Sequence, residues 1–249
     1  MKNDDLNLIE NESSNPLGQT SSTNLSSEIP PPDPERMLEL LESTTAADRM
    51  LAARAFCELK DPRSIPLLIK LLDDTCPLVR VSTTYALGRN TDASTVEPLI
   101  ELLARDFNGY VRKGIVWALG NSKDRRALKP LIHALKTDIS AVRLWAASGL
   151  AQIAPLDYDD IIAAIPPLIQ GLRRDPTAAV RSNCAWAIGQ LCRELPSNVV
   201  YATAIDALVE SLVEDDDLSV KDDARSAILK VGDPGGLQMI EELEFEGLI

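Results

Sequence analysis

The chain has 249 residues, of which 45% are hydrophobic and 25% charged, an ordinary composition for a globular protein with a sizeable core. Its net charge of −13 argues against broad nucleic-acid binding, because an acidic protein gains nothing from counterion release on DNA. No apolar run approaches the roughly 18 residues of a membrane span, and the acidic start lacks the apolar core of a secretory signal, so a cytoplasmic protein is expected.

The first segment, residues 1–34, is predicted to be a disordered tail. It is rich in Ser, Asn and acidic residues and ends in the string IPPPDP. Such a segment has too little apolar surface to offset the entropy of ordering, and consecutive prolines are stiff. Residues 35–249 are predicted to form one ordered domain.

From residue 35 onward the chain repeats a two-part unit. The second part carries a basic residue in strings such as LVRVSTTYALG and YVRKGIVWALG, at Arg49, Arg80, Arg112, Arg143, Arg181 and Lys221. The first part carries an apolar string of the type LIxxL, beginning at Leu68, Leu99, Leu131, Leu168 and Leu208. Spacings of 31 to 40 residues with two amphipathic segments per unit are typical of helical solenoids. We therefore predict an all-α, right-handed α-solenoid of about six helix pairs.

Small residues recur in the predicted second helix of the units. The string ALG occupies 86–88 and 118–120, and AIG occupies 187–189. Alanine and glycine let neighbouring helices approach closely, and a glycine can also end a helix. Because one helix pair cannot bury its apolar faces alone, the core is expected to form by stacking of pairs.

An aspartate precedes the basic residue of most units by five or six positions. An aspartate at the turn and an arginine at the head of the second helix can bond within a unit or between units. Because the two residues keep their places from unit to unit, a structural ladder is favoured over a binding stripe. The predicted ladder consists of Asp74, Arg80, Asp106, Arg112, Asp138, Arg143, Asp175 and Arg181.

The strings VRVSTTYALG, VRKGIVWALG and VRSNCAWAIG resemble HEAT repeats, specifically the short HEAT-like repeats of the phycobilisome-lyase type. The resemblance covers residues 36–249 and is specific for the fold. It implies relatives of two kinds: cyanobacterial bilin lyases with their non-catalytic relatives, and partner-binding scaffolds elsewhere. A lyase of this type would hold a linear tetrapyrrole by ring stacking and by arginine–propionate pairs. The groups implied in that role are Trp117, Trp145, Trp186, Arg112, Arg143 and Arg181.

The residues offer little for catalysis, and no catalytic residue is assigned. The single histidine, His133, occupies a position that is polar in the other LIxxL strings, so it is expected at the surface. Cys184 and Cys192 are weak candidates for a metal or a shared iron–sulfur cluster, and the alternative is that they are small core residues. No resident cofactor is predicted.

Four aromatic residues are the candidate partner-binding residues. Tyr85, Trp117 and Trp186 each follow the basic residue of their unit by five positions, and Trp145 lies near that place in the intervening unit. If the second helices line a concave face, these rings form a row of anchors for a partner. The alternative is that they fill the core between units.

The predicted function is a non-catalytic scaffold or adaptor whose concave face binds another protein, in the assembly of a cofactor or light-harvesting complex. Two alternatives follow from the resemblance and the cysteines. One is a bilin lyase or bilin chaperone, and the other is an accessory partner of an iron–sulfur cluster carrier.

Overall fold

The computed structural model describes residues 32–154 and 157–247, and these residues form α-helices and turns without a strand among them. The predicted tail falls almost entirely in residues 1–31, outside the described residues. The ordered part begins with a helix at Pro34.

Thirteen α-helices, numbered here in chain order, follow one another in the described residues. The first helices of successive pairs are α1 (Pro34–Leu41), α3 (Ser64–Leu71), α5 (Ala93–Arg105), α7 (Leu128–Thr137), α9 (Tyr158–Arg174) and α11 (Val199–Glu214). The second helices are α2 (Ala46–Ala55), α4 (Pro77–Arg89), α6 (Gly109–Ser122), α8 (Ser140–Ile153), α10 (Ala178–Cys192) and α12 (Leu218–Val231). Helix α13 (Pro234–Phe245) follows the sixth pair, and a 3-10 turn at Arg125–Ala127 precedes α7. The predicted all-α solenoid of about six helix pairs is confirmed.

Short polar side chains begin many of the helices. Asn108 accepts hydrogen bonds from the backbone N–H groups of Tyr110 and Val111, at 2.9 and 3.3 Å, and so caps α6. Asp33 caps α1 and Asp217 caps α12 in the same way. Each cap satisfies an amide that has no partner within its helix, so the polar turns fix where the helices start.

The helices form two layers. Each second helix packs on the second helices before and after it in the chain, and each pair is closed by contact between its own first and second helices. The core lies between the layers and contains fully buried side chains such as Leu68, Leu99, Leu131 and Leu168, from the predicted LIxxL strings. Between the third and fourth units, the 3-10 turn at Arg125–Ala127 contacts both α5 and α7, and the two helices themselves make few direct contacts.

Glycines allow the second helices to approach closely. A Cβ atom added to Gly120 in α6 would lie 2.8 Å from the Cα atom of Gly149 in α8. A Cβ atom added to Gly88 in α4 would lie 2.5 Å from the ring of Trp117 in α6. Both separations are below van der Waals contact, so the spacing of these helices depends on residues without a side chain.

We expect Gly120→Ala to destabilise the protein by about 1–3 kcal/mol, because the added methyl group must separate two helix backbones. The measurement is the free energy of unfolding in urea. Gly235→Ala is the matched control, since its Cβ atom would meet only the Asp233 carboxylate at 3.3 Å. A Gly120→Ala protein as stable as the control would show that the α6–α8 contact is not tight.

Candidate partner-binding surface

Five ion pairs connect each unit to the next along one edge of the two layers. In the central pair, Arg112 donates through Nε and Nη2 to both carboxylate oxygens of Asp138, each at 2.7 Å. The third nitrogen, Nη1, donates to the backbone carbonyl of Asp106 in its own unit at 2.9 Å. The pairs are Arg49–Asp74, Arg80–Asp106, Arg112–Asp138, Arg143–Asp175 and Arg181–Asp215. Every carboxylate is therefore bound by the arginine of the preceding unit.

These pairs are shielded from water. The Arg80 side chain is 17% exposed and that of Asp106 only 2%, whereas the surface pair of Arg105 with Asp73 is 57% and 67% exposed. The carboxylates of the ladder also accept backbone N–H groups of the turn, as Asp74 does from Cys76 at 2.8 Å. Bidentate bonding with little exposure makes each pair a geometric constraint between units, which exposed pairs are not.

Tyr85 and Trp117 lie between helices. They are 4% and 5% exposed, their ring centroids are 5.4 Å apart, and their planes are tilted by 55°. Burial is the main cause that raises the pKa of Tyr85 to about 12. These two rings therefore fill the core between units, and they offer almost no surface to a partner.

Trp145 and Trp186 differ from the first two rings because both are only partly buried. The Nζ atom of Lys113 lies 5.8 Å from the ring centroid of Trp145, within the range of a cation–π interaction. Asn183 donates from Nδ2 to the Leu144 carbonyl and to Ser148 Oγ, both at 2.6 Å, and so joins α10 to α8. We use "second-helix face" for the surface of Lys113, Trp145, Ser148, Asn183 and Trp186.

The cysteines and the histidine are not part of the second-helix face. Cys184 and Cys192 are buried, and burial raises the pKa of both thiols, that of Cys192 to about 12. A neutral buried thiol is neither a good nucleophile nor a ready metal ligand. His133 is exposed on α7. Across residues 32–154 and 157–247, no group of three or more His, Cys, Asp or Glu side chains is placed to hold a metal ion.

Three grooves open along the edge that carries the ion pairs. They lie between α3 and α5, between α5 and α7, and between α7 and α9, with volumes of about 190, 800 and 370 Å³. The middle groove contains Phe107, which is fully exposed, and His133 lies on its rim. Sequence reasoning missed this groove, although an aromatic residue directly after a ladder aspartate is an unusual signal.

The chain belongs to the HEAT-repeat family, because residues 34–112, 96–164 and 165–243 match the family described as HEAT repeats. An engineered protein is similar at 25% identity and a TM-score of 0.62, over 80% of this chain and 98% of the other. A designed armadillo repeat protein in complex with the peptide (KR)4 is similar at 23% identity and a TM-score of 0.61, also over 80% and 98%.

A third solved structure is the complex of CpcE and CpcF of phycocyanin lyase from Nostoc sp. PCC7120. It is similar at 22% identity and a TM-score of 0.59, over 89% of this chain and 85% of that chain. At this identity the likeness concerns the fold. No helix in the described ranges combines the length and apolar character needed to cross a membrane.

We expect Asp74→Asn to destabilise the protein by about 1–3 kcal/mol, because the variant leaves the Arg49 guanidinium in a shielded site without a charged partner. Asp73→Asn is the control at the neighbouring position, and it should change stability by no more than about 0.5 kcal/mol because its pair with Arg105 is exposed. Urea unfolding measures both variants, and equal effects would contradict a structural role for the ladder.

The ladder also predicts loss of stability in acid. Burial raises the pKa of Asp74, but the hydrogen bonds from Arg49 and Cys76 outweigh burial and lower the pKa below its ordinary value. The pKa of Asp215 is also lowered, mainly by the hydrogen bond from Arg181. Such groups contribute stability above the unfolded-state pKa of about 3.9, and the contribution is lost as the pH falls through the folded-state pKa. We expect the Tm to fall steeply below about pH 4, and less steeply for Asp74→Asn than for Asp73→Asn. Parallel acid profiles would contradict the coupling.

Proposed function

We propose that this HEAT-repeat protein is a non-catalytic scaffold that binds another protein on its second-helix face. The observation that carries the proposal is the partial exposure of Trp145 and Trp186 on neighbouring second helices. Tryptophan is one of the residue types enriched among the anchors of protein interfaces. Lys113 places a positive charge over the Trp145 ring, and Asn183, three residues before Trp186 on α10, bonds to the Leu144 carbonyl of α8.

The ladder and the close helix contacts support this role because they hold the face in one arrangement. Arg143 binds the carboxylate of Asp175 at 2.6 and 2.8 Å and thereby joins the unit that carries Trp145 to the unit that carries Trp186. A surface that is ordered before binding loses less entropy when a partner docks. Binding by a rigid array also agrees with the designed armadillo repeat protein, whose structure contains a bound peptide.

The setting that we propose is the assembly of a cofactor or light-harvesting complex, which rests on the similarity to the CpcE–CpcF complex. Bilin binding is the second candidate, and that similarity is also what favours it. The described contacts support it less well, because the arginines implied for the propionates, Arg112, Arg143 and Arg181, are each bound to a ladder carboxylate. An absorption spectrum of the protein mixed with bilin tests this candidate, and an unchanged band would remove it.

The iron–sulfur alternative rests on Cys184 and Cys192 alone. Both thiols are buried and have raised pKa values, so neither is presented to a cluster on a partner. We therefore prefer protein binding through the two tryptophans.

We expect Trp145→Ala combined with Trp186→Ala to weaken binding of the native partner, by about 2 kcal/mol for each lost anchor. Affinity capture with crosslinking from the native host first identifies the partner and the crosslinked face. Isothermal titration then compares wild type with the double variant. Val199→Ala is the control, because that residue is 81% exposed but lies on the first helix α11.

Melting curves of the same variants separate binding from stability, since truncating a partly buried tryptophan also removes core contacts. A folded double variant that binds as tightly as wild type would move the site away from the second-helix face. Failure to capture any stoichiometric partner would contradict the scaffold role itself.

A further inference from the structure

The groove between α5 and α7 is distinct from the second-helix face because first helices and turns form it. Its volume of about 800 Å³ is the largest of the three grooves on this edge. That volume is within the range of cavities that bind small ligands or a few side chains of a partner. The 3-10 turn at Arg125–Ala127 contacts both α5 and α7, and the two helices make few direct contacts with each other.

Apolar side chains line part of the groove. Ile100 and Leu103 are partly buried on α5, Phe107 is fully exposed, and Ile139 is 49% exposed. An exposed cluster of large apolar side chains in a concave surface is typical of a protein-binding site.

The two exposed side chains of the cluster occupy one position of the repeat. Ile139 lines this groove, and Phe107 lines both this groove and the one between α3 and α5. Phe107 and Ile139 directly follow the ladder aspartates of the third and fourth units. The residues in the same place of the second, fifth and sixth units are Thr75, Pro176 and Asp216. The repeat pattern therefore does not require a large apolar side chain at this position.

The position of Ile139 is fixed by a glycine of the neighbouring unit. A Cβ atom on Gly109 would lie 2.5 Å from Ile139 Cδ1, so the isoleucine lies directly against the backbone at the start of α6. The apolar edge is therefore formed before any partner arrives.

The α7 side of the groove carries Lys129 and His133, whereas Lys136 lines the neighbouring groove between α7 and α9. Lys129, His133 and Lys136 are all exposed and recur at intervals of four and three residues, so they share one face of α7, a helix that contains no acidic residue. Within the described residues, neither lysine has an ion-pair partner.

The acids that line the groove do not offset this charge. Asp106 is bound by Arg80, and Asp138 is bound by Arg112. Their carboxylates are thus already neutralised by the ladder, and the cations on α7 are the charges left for a ligand.

We propose that this groove binds an acidic amphipathic segment of a partner protein, with its apolar side chains against Phe107 and Ile139 and its carboxylates over the exposed face of α7 that carries Lys129 and, beyond the groove, Lys136. The inference rests on the proposed function in so far as the ligand is a protein. It adds a second surface and the chemical character of the segment that docks there. Apolar contact supplies affinity, and the lysines select against basic segments.

Three synthetic peptides of about 15 residues test the proposal, because shorter helices are marginal in water. The first has a leucine face and a glutamate face, the second replaces glutamate by lysine, and the third replaces leucine by serine. Fluorescence anisotropy with the full chain should show that the first peptide binds about tenfold or more tightly than the other two, and that salt weakens its binding. Equal binding of all three peptides, or binding of none, would overturn the proposal.

Matched variants locate the site. Phe107→Ala and Ile139→Ala should each weaken binding of the first peptide about tenfold, and of the three grooves Ile139 lines this one alone. Leu218→Ala, which truncates a 77% exposed residue on α12, should leave binding unchanged. Lys129→Glu with Lys136→Glu should abolish the preference for the acidic peptide. Lys60→Glu with Lys230→Glu changes the net charge equally and should preserve that preference. Unchanged binding by Ile139→Ala, or by Phe107→Ala, would overturn the assignment to this groove.

Two further outcomes keep this inference separate from the proposed function. If Phe107→Ala abolishes binding to anionic phosphatidylserine vesicles while the peptides do not bind, the groove is a lipid surface and the proposal is wrong. If the native partner depends on Trp145 and Trp186 but no peptide binds at the groove, the scaffold role stands and this inference alone fails.

Discussion

The arginine that bonds two turns at once is the interaction on which this fold depends. Arg112 holds the backbone carbonyl of Asp106 in its own unit and the carboxylate of Asp138 in the next. A single side chain therefore sets both the distance between successive turns and their relative rotation. Because a helix pair buries its apolar surface only against its neighbours, the geometry of the core follows from this repeated constraint.

The parts of the fold that could be predicted from sequence are those that each unit encodes locally. The spacing of LIxxL strings and basic residues predicts helix pairs, because the pattern of apolar residues and the turn signals lie within one unit. The ladder residues could also be identified from their fixed places. The sequence could not show whether Arg80 bonds Asp74 or Asp106. Both aspartates are near Arg80 in a stack of units, and the choice depends on how the units dock.

Whether an aromatic ring is buried depends on the residues of the neighbouring helix, and an alignment of the repeats does not describe those contacts. Trp117 is buried because Gly88 on α4 leaves room for its ring. Trp186 occupies the equivalent place in its own unit and is only partly buried. The groove beside Phe107 could not be predicted either, because its exposed side chains, Phe107 and Ile139, depart from the residues that the other units carry at that position.

The ends of the ladder give the array a direction. In the first unit, Arg49 Nη1 donates to the carbonyls of Ser43 and Thr44, and that turn has no aspartate. In the sixth unit the basic residue is Lys221, which donates to the Val213 carbonyl instead of to a further carboxylate. Interior units each offer one acceptor and one donor, so a gene duplication copying residues 80–111 would restore an intact bond at both new junctions. Copying the last unit would instead place a lysine inside the row, with no bidentate partner for the following turn.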